Sequence, residues 1–162
     1  MAAGSTYTPI ATQTLGSATA TVTFSSLGSY TDIVLIFNGT MSSAAQVMFR
    51  LNSDTGNNYS YTKLYGQGGA AGSARESNIS GGVLGYYNGG SSPITQILHI
   101  QNFGNSNTYK TTISRSSDPG NIESSVSLWR NTSAITSISI LNTGGVNIAS
   151  GTTITLYGIA AA

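Results

Sequence analysis

Five carboxylates and one imidazole make up the acid–base inventory of this chain: Asp32, Asp54, Glu76, Asp118, Glu123 and His99. Glycoside hydrolysis needs two of those acids facing each other across a bond. Asp32, Asp54 and Asp118 instead stand beside turn residues, where a short carboxylate caps local backbone N–H groups. His99, in "TQILHIQNF", shares a strand face with Ile97, Gln101 and Phe103, and a packed or hydrogen-bonded structural role is expected. A Ser-His-Asp constellation is spatial and is not argued from one His among scattered hydroxyls. Cys is absent, which removes thiolate chemistry and Cys/His metal sites. The expectation is a chain that is not an enzyme, with no catalytic residue, cofactor or metal. A glycan-degrading enzyme stays in view because the five acids are not placed in space by the sequence.

Two stretches look like sites. "FRLNSDTGNNYS" gathers Asn52, Asp54 and Gly56 between hydrophobic runs, as an ion loop would. An EF-hand-type loop needs several ligands at alternating positions and a terminal bidentate Glu. Asp54 is the only carboxylate between Arg50 and Lys63. A hairpin corner fits better, with Gly56 at positive φ and Asn52 and Asp54 bonding the turn. The second stretch, "NNYSYTKLYG", puts Tyr59, Tyr61 and Tyr65 on one strand face with Lys63 between them, and Tyr86 and Tyr87 follow in "LGYYNGG". Such a face could stack on sugar rings, form a cross-strand ladder or meet a partner.

The elements that must position these residues repeat every two residues. "ATATVTF" sends Ala18, Ala20, Val22 and Phe24 to one face. "QVMFRLN" points Val47, Phe49 and Leu51 inward, with Met48 and Arg50 outward. "SSVSLWRN" sends Val126 and Leu128 one way and Ser127 and Trp129 the other. Ten or eleven short strands, punctuated by "NGT", "DTGN", "NGGSSP", "DPGN" and "NTGG", predict an all-β antiparallel sandwich or barrel over 7–162. Residues 1–6 read as a flexible arm. "GQGGAAGSARES", 66–77, reads as an exposed loop. One strand breaks the alternation: Ile33, Val34, Leu35, Ile36 and Phe37 are all apolar. Either a loop of the same chain covers its second face or a neighbouring subunit does.

Charged residues are only 7% of the chain, and net charge is +1. No basic stripe is present, so a nucleic-acid partner is disfavoured. No run approaches the ~20 apolar residues of a membrane-spanning helix, so no membrane partner is expected. "MAAGSTYTPIA" lacks a basic start and an apolar core, so synthesis in a cytoplasm without the usual secretory signal is expected.

The ordered stretches "TPIATQTLGSATATVTFSSL", "FRLNSDTGNNYS", "LYG", "LWRNTSAITSISI" and "SGTTITLYGI" together carry a resemblance from about Tyr7 to Ile159. In these the chain resembles small tailed-bacteriophage virion proteins. The resemblance implies a jelly-roll-like, two-sheet sandwich with no catalytic residues. It implies a capsid decoration (cement) protein on the outer surface of the virion, binding the major capsid protein as a homotrimer and stabilising the head. Its alternative is a tail-fibre or tail-tip module that binds host-surface carbohydrate. Residues 66–77 and 88–93 match nothing in that pattern.

Overall fold

The computed structural model describes residues 6–89, 92–142 and 144–160. The proposed arm, 1–6, falls outside them except for Thr6. Among the described residues twelve strands form: β1 (Thr8–Thr14), β2 (Val22–Ser25), β3 (Asp32–Gly39), β4 (Ala45–Leu51), β5 (Tyr59–Gln67), β6 (Ala70–Ile79), β7 (Gly82–Tyr87), β8 (Ile94–Ile100), β9 (Lys110–Asp118), β10 (Asn121–Trp129), β11 (Ser137–Asn142) and β12 (Thr153–Ile159). They make an eight-stranded antiparallel sheet, β1-β12-β3-β8-β9-β10-β5-β6, and a four-stranded one, β2-β11-β4-β7. Setting aside β1, β12 and the β9–β10 hairpin leaves β3-β8-β5-β6 over β2-β11-β4-β7. That is the double Greek key of a jelly roll, in which the chain crosses between sheets at most connections.

The apolar core lies between the sheets. Ile33, Leu35 and Phe37 of β3 meet Val47, Phe49 and Leu51 of β4, Leu98 of β8, Ile138 and Ile140 of β11, and Ile154 and Leu156 of β12. This corrects part of the interface expectation. Ile33, Leu35 and Phe37 are fully buried in the chain's own core, and only Val34 and Ile36 turn to the outer face of the large sheet. Met48, expected outside, is buried as well, because Gly81 in the β6–β7 connection packs against its methyl end.

The stretch 66–77 is not a loop. It holds the end of β5, a Gly68–Gly69 turn and most of edge strand β6. Its small residues answer to a neighbour: a Cβ at Gly72 would lie 2.7 Å from the Tyr65 ring, which crosses β6 there. The "NSDTGNN" segment is not a hairpin either, since β4 and β5 belong to different sheets. Asn52 and Ser53 take the left-handed conformation (φ 52° and 56°), and Gly56 does not. Gly56 is small for another reason: a Cβ would meet Asn58 Nδ2 at 2.9 Å and Asp54 Oδ1 at 3.1 Å. Asn52 also reaches beyond its own turn. Its Oδ1 accepts from Thr136 N (2.7 Å) and its Nδ2 donates to Ala134 O (2.9 Å), tying the corner to the β10–β11 connection.

Tyr59 fastens the corner from inside. Its hydroxyl accepts from Leu51 N (2.9 Å) and donates to Leu51 O (3.3 Å). Its ring stacks on Trp129 and meets Phe49 edge-on. Burial pushes its phenol well above the ordinary value. Tyr59→Phe leaves the Leu51 N–H and C=O without these partners and is expected to cost ~1–2 kcal/mol. Urea denaturation with an unchanged slope and a lower midpoint would show this. An unchanged midpoint would mean that the hydroxyl contributes nothing net.

Candidate functional site

The smaller sheet covers only part of the larger one, and this decides what is exposed. β7, an edge strand of the small sheet, lies over β8, β9 and β10. The faces of β9 and β10 that look at it are polar: Thr112, Ser114 and Ser116, then Asn121, Glu123, Ser125 and Ser127, all buried. Small side chains let β7 come close; a Cβ on Gly85 would stand 2.4 Å from Ser116 Oγ. The serines also satisfy the free edge of β7. Val83 N donates to Ser127 Oγ (3.2 Å), and Ser114 Oγ donates to Val83 O (3.0 Å). With serine inward, alternation throws the apolar residues outward. Ile113, Ile122 and Val126 are exposed on the outer face, and Leu64 of β5 joins them.

That outer face forms two adjoining hollows. One, of about 780 Å³, is lined by Leu64, Ala71, Ile97, Arg115, Ile122 and Ser124 among others. The other, of about 310 Å³, is lined by Thr62, Arg75, Val126 and Leu128 with their neighbours. The strand register carries the same face across β8 and β3: Arg115 pairs with Ile97, Ile97 with Ile36, and Val34 with His99. Val34 and Ile36 therefore lie on the same outer face as Leu64, with Ser124, Arg115 and His99 interspersed among the apolar side chains.

A separate cleft, of about 250 Å³, opens where β5 and β6 overhang the edge of β7. Lys63, Tyr65, Gln67, Ala74, Tyr86, Asn121 and Glu123 line it. It reunites three of the aromatic-face residues named from sequence: Lys63, Tyr65 and Tyr86. The others go elsewhere. Tyr59 and Tyr87 are core residues. Tyr61 lines the second hollow, and its hydroxyl donates to Glu76 Oε2 (3.3 Å). In the cleft Lys63 Nζ donates to Glu123 Oε2 (3.0 Å) and stands 5.6 Å from the centre of the Tyr65 ring. Glu123 Oε1 and Asn121 Nδ2 are buried without a partner. Sequence reasoning passed over Asn121 and weighed Glu123 only as one of five acids, not as part of this cleft. The signal was an Asn and a Glu alternating with Ile122 in a strand whose other inward residues are Ser125, Ser127 and Trp129.

The remaining acids are spoken for. Asp54 Oδ2 accepts from Trp129 Nε1 (2.7 Å) and Asn58 Nδ2 (2.9 Å), and Oδ1 accepts from Gly56 N (2.8 Å). Burial alone would raise its pKa. The bonds from Trp129, Asn58 and Gly56, with the charge of Arg50, outweigh this and hold the carboxyl below its ordinary value. Asp118 accepts from Asn88 N, Asn88 Nδ2 and Gly120 N. Asp32 Oδ2 lies 3.0 Å from His99 Nε2, and its Oδ1 accepts from Asn102 N. His99 pairs across the ladders with Val34 and Ile113, and Phe103 leaves its strand face to enter the core. Glu76 and Glu123 line different hollows. Among the described residues no three of His, Asp and Glu gather as metal ligands would.

No protein-family model matches the chain, and no curated protein matches it. Among solved structures it is similar to alginate lyase Aly36B, with 11% identity and a TM-score of 0.38 over 91% of this chain and 77% of that one. A mutant of the same enzyme in complex with an alginate tetrasaccharide gives 9% identity and a TM-score of 0.37 over 93% and 80%. The expectation that the chain is not an enzyme is corrected on this finding, because the structures it is similar to are those of a lyase. At such scores the likeness assigns this chain no reaction, substrate or residue role.

Proposed function

We propose that the chain is a structural protein of a tailed-phage particle that decorates the outer capsid as a homotrimer and braces the head against its packaged DNA. The observation that carries this reading is the outer face of the large sheet. Leu64, Ile113, Ile122 and Val126 are exposed there, with Ile97 and Ile36 on the same face, over hollows whose charged lining residues, Arg115 and Glu123, Arg75 and Glu76, balance in sign. A soluble monomer seldom leaves so many large apolar side chains uncovered on one face. Nearly neutral and grooved, it suits a protein partner such as the major capsid protein or a second copy. The sequence resemblance from Tyr7 to Ile159 supplies the particle. Binding only the assembled shell would stabilise that shell by mass action.

Counting copies per purified virion against the major capsid protein tests this. Hundreds of copies are expected; a dozen or fewer would overturn head decoration. The face itself is tested by Ile36→Asp and Val126→Asp. Both side chains point outward, so thermal stability is expected to shift by no more than ~1 kcal/mol. Capsid binding, or the native mass in solution, should be lost. Variants that keep both would remove this face from the assembly. A second reading, a tail module binding host-surface carbohydrate, is favoured by one feature, the polar cleft at Lys63, Tyr65 and Tyr86.

A further inference from the structure

The cleft beside β7 contains two polar atoms that folding has removed from water and left without a bond. Glu123 Oε1 is an acceptor and Asn121 Nδ2 a donor, on residues only 3% and 5% exposed. Such orphans cost free energy; seven side-chain atoms are left so among the described residues, and these two belong to the residues that line this cleft. They sit two residues apart on β10, pointing to the same side, in an open hollow walled by Tyr65 and Tyr86. A vicinal diol satisfies both at once, because each hydroxyl can donate to a carboxylate or accept from an amide. The tyrosine rings offer apolar faces to the C–H side of a sugar ring. The volume suits one ring held at its edge rather than a buried chain.

Charge narrows the class. Lys63 and Glu123 neutralise each other, so the charged residues lining the cleft offer no unpaired cation to a ligand. A ligand carboxylate or sulfate would lose its hydration there without gaining an opposite charge. We propose that this cleft binds a neutral hexose unit of a glycan, with Glu123 accepting from one hydroxyl, Asn121 donating to its neighbour, and Tyr65 and Tyr86 walling the ring. The proposal rests on the carbohydrate reading given second above and names the ligand of that site.

Saturation-transfer NMR on the full chain with glucose, galactose, N-acetylglucosamine and glucuronate tests it. Transfer to at least one neutral sugar is expected, with weaker or no transfer to glucuronate. Glu123→Gln removes the acceptor charge but strands Lys63, so it could unfold the end of β10. Tyr86→Ala, at the cleft wall, carries the test in that event: transfer should be lost while the melting temperature stays near that of the parent. No transfer to any neutral sugar, equal transfer to glucuronate, or transfer that survives in Tyr86→Ala would each overturn the proposal. Host-surface polysaccharide applied to the same samples separates the two levels. Polysaccharide binding without hexose transfer would overturn this cleft and leave the carbohydrate reading standing, whereas binding of neither would overturn both.

Discussion

Asp54→Ala is expected to destabilise the protein by ~3–4 kcal/mol and to lower its melting temperature by roughly 10 °C. The loss comes from three donors at once. Trp129 Nε1, Asn58 Nδ2 and Gly56 N all end on this carboxylate, and the Trp129 ring is 1% exposed. Indole has no second way to place its N–H, and water reaches it poorly. The pH dependence gives an independent check. The folded pKa is held below the ordinary 3.8. The unfolded chain therefore takes up the proton first as the solution is acidified. The contribution is complete above the unfolded value and is lost as pH falls through the folded one. Thermal melts of the parent and of Asp54→Asn, from pH 2 to pH 6, should converge toward the acid end. A gap that stays constant with pH would show that the charge of Asp54 is irrelevant and that only its shape matters.

Lys110→Met is expected to be at least as costly, ~4 kcal/mol, although it replaces a charge by an apolar side chain of similar length. Lys110 is fully buried, and its ammonium donates to Asn105 O (2.5 Å), Thr108 O (3.0 Å) and Thr132 O (3.0 Å). Burial lowers its pKa from the ordinary lysine value. Three carbonyls from two connections, β8–β9 and β10–β11, converge on it and would all lose their donor. Methionine fills the space but satisfies none of them. Urea denaturation should show the drop in stability. Hydrogen exchange should show faster opening at 102–109 and 130–136 than in β3 or β12. Uniform exchange with unchanged stability would mean that the loops hold without the ammonium.

Both residues show how far a sequence can be read locally. The role of Asp54 as a turn residue was legible in "NSDTGNN". A lone carboxylate among amides and glycine has few other uses, and two of its three bonds are to Gly56 and Asn58 in the same segment. The third, to Trp129, joins positions far apart in the chain, and no periodicity encodes that. Nothing in the local sequence marks Lys110 as a buried residue. What buries it is the approach of two loops, and this depends on the β9–β10 hairpin lying between β8 and β5.

By itself the sequence determined the fold class, because alternation is a local property and each strand carries its own. It also marked β3 as a central strand, from five consecutive apolar residues, and β3 does lie inside the large sheet between β12 and β8. Strand identity in 66–77 was hidden, since Gly, Ala and Ser give no alternating signal. β6 exists because β5 offers it an edge and Tyr65 lies over Gly72. Alternation already placed Val47, Phe49 and Leu51 inside, but only the tertiary structure decided which face of β10 is inside. In β10 the bulky apolar residues would be placed inward by hydrophobicity alone. The close approach of β7, with Gly85 against Ser116 and Val83 bonded to Ser114 and Ser127, leaves room only for serine there. Ile122 and Val126 are therefore turned outward, and Glu123 and Asn121 are carried into the cleft. Both surfaces on which the proposed functions rest follow from that contact between strands of different sheets, and a pairing of that kind is written nowhere along a single strand.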